Sequence, residues 1–358
     1  MPRFQAPTEF GRTLRAEGKA LIASRPTNRF ADRSQWLRAL LAVVALGAAY
    51  ALLLSTPVGY WSLALAGLSG ILAYTVVATL CHDASHGSLS SVRLINRTIL
   101  FLGFALVGVS GSLWGRRHVR THHMFPNVSN TDIDADSTIL VRLTPHRPWH
   151  PWHALQIVYA PLLYMAVLAH LAYFEDFKYL RKAIRESPEK FDTTRAKLEF
   201  AISKLLHVVL ALVVPGLVLD CSFAALIGGY MIASAAASLM FVMINVGTHI
   251  CDQAIFVEPD ANGSIEHDWA IHQALTAVDW APESVLAVAL TGGANAHAAH
   301  HLFPEAAHCH NARLSRLVSD CADRFGVRHN VVSFAEMLAS HFRHLWTLSW
   351  PDQRDIKR

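Results

Sequence analysis

The residues able to do chemistry in this chain are concentrated in its histidines, and nine of the 21 fall in four short stretches. Asn295-Ala296-His297-Ala298-Ala299-His300-His301-Leu302-Phe303-Pro304 places three at i, i+3 and i+4, so on a helix three imidazoles leave from one face. His82-Asp83-Ala84-Ser85-His86 is an i, i+4 pair, and His118-Val119-Arg120-Thr121-His122-His123 is another with one extra histidine. Asn245-Val246-Gly247-Thr248-His249 adds an asparagine and a histidine at the same spacing. Imidazole is the commonest side-chain ligand for first-row transition metals. Neutral rings can share a cation, whereas charged ones would repel and buried unsatisfied ones would cost energy. The four stretches are therefore read as one metal centre.

Other residues carry weaker signals. Asp83, beside His82, is read either as an acceptor that holds a ligand's tautomer or as a surface or capping carboxylate. Asn245 offers its amide oxygen to a metal or its water, or makes an ordinary bond between membrane helices. Glu305-Ala306-Ala307-His308 matches the ExxH of carboxylate di-iron bundles, which need two copies; with no second copy it is set aside. Asp132, Asp134 and Asp136 alternate as in a solvated turn. His170, His207 and His329 are isolated and read as structural. No glycine-rich phosphate loop or GxSxG nucleophile elbow is present.

The elements around these residues belong to a bilayer. Hydrophobic residues make up 53% of the 358 and charged ones 16%, against about 25% charged in soluble domains. A formal charge of +4 without a basic, aromatic-interleaved run excludes a nucleic-acid partner. The five cysteines have no CxxC spacing and an odd count, which favours buried free thiols over a disulfide framework. The polar, arginine-rich start does not read as a secretory signal.

Ala39 to Cys81 contains no charged residue, and Pro57-Val58-Gly59 divides it into spans at about 39–55 and 60–80. A second pair falls at about 200–219 and 222–246. The apolar stretches 98–115 and 154–174 are long enough to cross, but one crossing by either would put histidine clusters on opposite faces. Both are therefore expected to be interfacial, re-entrant or packed under the metal site. Basic residues at 3–38 and 178–197 flank these pairs, while the turns at 55–59 and 220–222 hold no Lys or Arg. The positive-inside rule then puts the clusters in the cytoplasm. From about 311 the pattern is that of soluble helices: a Leu314, Leu317, Val318, Cys321, Phe325 stripe closed by Gly326, then a Ser333/Glu336 capping pattern. The expected fold is an all-α integral membrane protein. It has a cytoplasmic segment 1–38, a membrane domain 39–310 of four transmembrane helices in two hairpins plus interfacial helices, and cytoplasmic helices 311–358 that cap the site.

Together the boxes HxxxH, HxxxHH and HxxHH, with His249 at the end of the fourth span, resemble the membrane fatty acid desaturase superfamily. The context is most similar to its bacterial linoleoyl-CoA-desaturase-like branch: His82-Asp83-Ala84-Ser85-His86-Gly87-Ser88, Arg142-Leu143-Thr144-Pro145-His146 with Trp149, Trp152 and His153, Thr291-Gly292-Gly293, and His300-His301-Leu302-Phe303-Pro304. The likeness runs from about residue 60 to 345. It implies two iron ions held by His82, His86, His118, His122, His123, His249, His297, His300 and His301, with Asn245 reaching the metal through water. It further implies O2-dependent introduction of a cis double bond into an acyl chain carried on CoA, acyl carrier protein or lipid. A tunnel to the metals would set the bond position. Hydroxylases, acetylenases and other alkyl oxygenases share the scaffold and are the alternative; a non-enzymatic metal or haem membrane protein is a more distant one. Front-end members commonly have glutamine where this chain has His297, so the bond position stays open. With no HPGG-type haem motif in the first 60 residues, the expected donor is a separate ferredoxin-type or cytochrome b5-type protein with its reductase. The expected location is a bacterial inner membrane.

Overall fold

The computed structural model describes residues 2–132 and 138–352; Asp134 and Asp136 lie outside them. The described chain is mostly helical and divides into two compact units, each built from segments distant in sequence. One comprises Arg33–Arg116 and Leu162–Val242; the other comprises Met1–Asp32, Arg117–Pro161 and Met243–Arg358.

Among the described residues, four helices are long and apolar enough to cross a membrane: Arg33–Ser55, Tyr60–His86, Thr194–Val218 and Phe223–His249. Each runs further than its apolar run alone suggests, and two of them end on a candidate ligand. Their outward faces are apolar: Leu37, Leu40, Leu41 and Val44 are 56–59% exposed, a patch that water would not tolerate and lipid would. Inside the first unit, Tyr60–Val76 packs on both Arg33–Ser55 and Phe223–Phe241. Gly70 makes the second contact possible, because a Cβ there would lie 2.0 Å from the Ala233 carbonyl oxygen.

The stretches 98–115 and 154–174 are both broken. Arg93–Leu106 and Gly111–His122 meet at 102°, and Pro151–Tyr164 and Val167–Glu186 at 73°. The breaks are tied by Lys204. Its ammonium donates to the carbonyls of Gly108 (2.6 Å) and Ala172 (2.8 Å) and to Asp176 (2.6 Å). Asp176 also accepts from the Ser110 amide at 2.7 Å. A charge half-buried among membrane helices is tolerable because all three of its protons are placed.

The other unit has a core of Phe10, Leu14, Ile22, Leu302, Phe303, Leu314 and Val318. The stripe expected from Leu314 on forms the buried face of Asn311–Phe325, which Gly326 terminates at φ 65°. Ser333 caps Phe334–Leu348 by accepting from the Glu336 amide. The all-helical expectation needs one correction. Among the described residues, two small parallel sheets form, Arg3–Gln5 with Ser264–Asp268 and Val278–Trp280 with Asn330–Val332. Runs this short leave no alternation to read. All five cysteines are free, and Cys81, Cys251 and Cys321 are buried.

Candidate metal centre

Seven of the nine candidate histidines lie in the unit that contains residues 117–161 and 243–358. There they form two convergences. The nitrogens of His122, His249, His297 and His301 all lie within 4.8 Å of one another. Nε2 of His249 is 3.2 Å from that of His122 and 3.1 Å from that of His301. His118, His123 and His300 form the second set, with Nε2 atoms 3.0 Å apart for the first two and 3.2 Å apart for the last two.

The boxes are shared between the sets in a way that i, i+4 spacing did not suggest. His118 pairs with His123 instead of His122, and His300 leaves His297 and His301. The first split follows from a wide turn at His118–His122, closed by a bond from the His123 amide to the His118 carbonyl at 3.0 Å. An i to i+5 bond adds a residue to the turn, bringing positions five apart together and swinging the fourth away. Similar wide turns at Val77–Cys81 and Val242–Val246 precede His82 and His249.

The set of four tests whether a metal fits. His249 Nδ1 donates to the Thr276 carbonyl (2.8 Å) and His297 Nδ1 to the Ala294 carbonyl (3.1 Å). His301 Nδ1 donates to the Gln273 amide oxygen (3.0 Å) and His122 Nδ1 to the Asp132 carboxylate (3.2 Å). Gln273 is oriented for this, because its amide nitrogen donates to the His123 carbonyl at 3.1 Å. With each proton held on Nδ1, four Nε2 lone pairs face one another. His297 Nε2 has no hydrogen-bonding partner among the described residues. Burial pushes the His297 pKa down to about 3, with His122 nearby adding to it, and holds His301 well below the usual value. Burial thus disfavours the charged form of His297 and His301. Buried acceptors left unpaired cost about 1–3 kcal/mol each, and a divalent cation satisfies all four at once. The residues fit a metal.

Asp132 corrects the sequence reading. Expected in a solvated turn, it is 1% exposed and accepts from both the Asn127 amide (2.8 Å) and His122. Asn127, at φ 56°, turns the chain back, and its side-chain amide donates to the His249 carbonyl at 2.9 Å. Asp279 escaped notice altogether. Its Oδ1 accepts from the Ala298 amide (2.7 Å) at the start of His297–Leu302, whose own cap residue, Ala296, has no side-chain acceptor. Its Oδ2 accepts from Ser315 (2.5 Å) and from His329 Nε2 (3.1 Å). His329 is structural as read, and so is His207, held between the Leu106 carbonyl and the Tyr230 hydroxyl.

His82 and His86 belong to the other unit, on the last turn of Tyr60–His86, with ring centroids 5.2 Å apart. Gly87 ends that helix at φ 68°. Asp83 is fully buried and accepts from the Gln35 side chain at 2.6 Å. Asn245 sits half-buried in the wide turn before His249. Glu305 is half-buried, while His308 is fully enclosed with its ring 4.9 Å from that of His300. Burial lowers the His308 pKa to about 3.

The same unit that holds His82 and His86 contains a cavity of about 420 Å³. Its walls include Gly47, Ala66, Ser69, Ala73, Gly229 and Ala237, small or apolar side chains on membrane helices.

Comparison with known proteins follows the same lines. Residues 65–333 match the family model described as fatty acid desaturase. The chain is 27% identical over 349 residues to the sn-1 linoleoyl-lipid 6-desaturase of Synechocystis sp., covering 96% of each. It is 28% identical over 273 residues to the protein of the same name from Arthrospira platensis, covering 75% of this chain and 73% of that one. It is also 30% identical over 285 residues to the acyl-lipid (8-3)-desaturase of Physcomitrium patens, covering 77% and 58% respectively.

Proposed function

The chain belongs to the fatty acid desaturase family, and from that premise we propose that it is an O2-dependent desaturase placing a cis double bond in the acyl chain of a membrane lipid. The observation that carries this reading is the set of four Nε2 lone pairs at His122, His249, His297 and His301, each fixed from behind by an oxygen acceptor. The similar proteins are named as lipid desaturases, which favours a lipid carrier over CoA or acyl carrier protein.

Two iron ions are the metal assigned to the site. His122, His249, His297 and His301 would hold one, and His118, His123 and His300 the other. His82 and His86 join the second on the strength of the family's box pattern. Asn245 is assigned to a metal-bound water and Asp83 to steadying the first box. When bound, the iron pair would supply O2 activation and the oxidation of two adjacent methylenes. One alkane pair, O2, two electrons and two protons become an alkene and two waters.

The protein's own contribution is positioning. Asp132, Gln273 and two backbone carbonyls hold the rings in one tautomer and orientation. The cavity among the membrane helices takes the apolar tail, so the carbons presented depend on where the chain stops. The topology assigned is four spans in two hairpins, with the bent pairs not crossing and residues 311–358 capping the site; the basic residues at 3–38 and 178–197 favour the cytoplasmic face of a bacterial inner membrane. A ferredoxin-type or cytochrome b5-type donor with its reductase supplies the electrons.

The test is the fatty acid profile of a host expressing the protein, with iron measured on the purified chain. A product lighter by two hydrogens and about two irons per chain are expected. A product heavier by one oxygen, or an active preparation well short of that iron content, would sink the reading.

A further inference from the structure

We propose that the solvent face of the Glu9–Ala23 helix, with the adjoining Trp269 end of the Trp269–Thr276 helix, docks an acidic one-electron carrier protein that feeds the metal centre through His301. The proposal rests on the desaturase reading, which needs two electrons from outside the chain for each double bond.

The Glu9–Ala23 helix has two distinct stripes. Phe10, Leu14, Gly18 and Ile22 are buried, while Arg12, Arg15 and Lys19, at i, i+3 and i+7, are exposed. Three exposed arginines elsewhere in this unit are committed to carboxylates: Arg316 to Glu283, Arg324 to Glu17, and Arg343 to Asp252 and Glu336. Arg12, Arg15 and Lys19 have none among the described residues, and Arg15 lies over the Trp269 ring at 5.8 Å. They line a concavity of about 420 Å³. Of its two carboxylates, Asp268 is already engaged by the Thr8 amide and hydroxyl and the Ile271 amide, and Glu305 is the other. The face is net positive.

What lies behind this face distinguishes it from an ordinary basic patch. Leu302 and Phe303 form part of its wall and follow His301 directly in the chain. Trp269 is one helical turn from Gln273, which accepts from His301 Nδ1 at 3.0 Å. The helix with the cations rests on the Phe303 ring, so closely that a Cβ at Gly18 would lie 2.1 Å from it. Both walls therefore lead to His301 through packed side chains and covalent bonds. Seven residues of helix spread the three cations over about 10 Å. That span is wide for one phosphate and suits the small, charge-steered interfaces of electron-transfer partners. Each encounter oxidises the carrier by one electron and reduces the metal centre by one. Two encounters and two protons from solvent complete the balance.

The experiment compares the full chain in lipid nanodiscs with two triple variants, Arg12→Glu/Arg15→Glu/Lys19→Glu and Arg12→Gln/Arg15→Gln/Lys19→Gln. Each is driven by reduced [2Fe–2S] ferredoxin, by soluble cytochrome b5, and by dithionite. For whichever carrier drives the wild type, the charge reversal should raise the carrier's KM by roughly tenfold or more, with the glutamine variant intermediate. Maximal rate and dithionite-driven turnover should stay within about twofold, and added salt should raise the wild-type KM far more than that of the reversal. An unchanged carrier KM overturns the proposal, as does a rise in the lipid's KM instead, which would mark a phosphate headgroup site. Failure of both carriers to drive a wild type that dithionite does drive also overturns it. Absence of an unsaturated product even with dithionite would instead refute the desaturase premise.

Discussion

Around His122, His249, His297 and His301, every ring nitrogen facing away from the cluster meets an oxygen acceptor. The cavity among the membrane helices is lined instead by Gly47, Ala66, Ala73 and Gly229. The first region is specified by direction: hydrogen bonds fix tautomers, and a small displacement loses a ligand. The second is specified by volume, and its small residues leave room that shape alone defines. Changes in the first region should act on metal and rate together. Changes in the second should act on which substrate is chosen.

Three substitutions put that contrast to the test. His301→Ala removes a ligand of the four-membered set, so activity should fall below detection while the protein still inserts. Iron per chain, measured beside product formation, checks this, and retained turnover would count against the ligand assignment. Asp132→Ala leaves His122 in place without its acceptor. Iron affinity or activity should drop about 10–100-fold, and a chelator competition would show whether metal is lost faster than from the wild type. The smallest effect belongs to the cavity. A Cβ at Gly229 would meet nothing within 4 Å, so a side chain there starts in open space and Gly229→Leu narrows the cavity. Iron content should be unchanged while the longest accepted chains lose ground to shorter ones by roughly tenfold. A variant that lost iron would show that the two regions are not separable in this way.

Much of this organisation could be read from the sequence, for a physical reason. Membrane helices need long uncharged runs, and a metal site needs several donors, so both leave dense local signals. Asp132 and Asp279 leave none. Asp132 lies among alternating aspartates that suggest solvent, and its burial depends on the turn at Asn127. Asp279 acts on the His297 helix, on Ser315 and on His329 across stretches that no local pattern links. The wide turn at His118–His122 was hidden as well, because spacing arguments assume a helix of even pitch. That is why the boxes were found while the sharing of His118, His122 and His123 between two sets was not.

The bonds of Asp279 run largely to groups that come later in the chain. The helix that carries His297, His300 and His301 is anchored at its start by a carboxylate whose other oxygen waits for Ser315 and His329. The strand containing Asp279 pairs with Asn330–Val332. All of these partners leave the ribosome after the histidines they steady. A nascent chain halted near residue 310 would carry every box and Asp279, yet lack Ser315 and His329, the groups that hold that carboxylate. The last box is therefore fully braced only when the chain extends through the Asn330–Val332 strand.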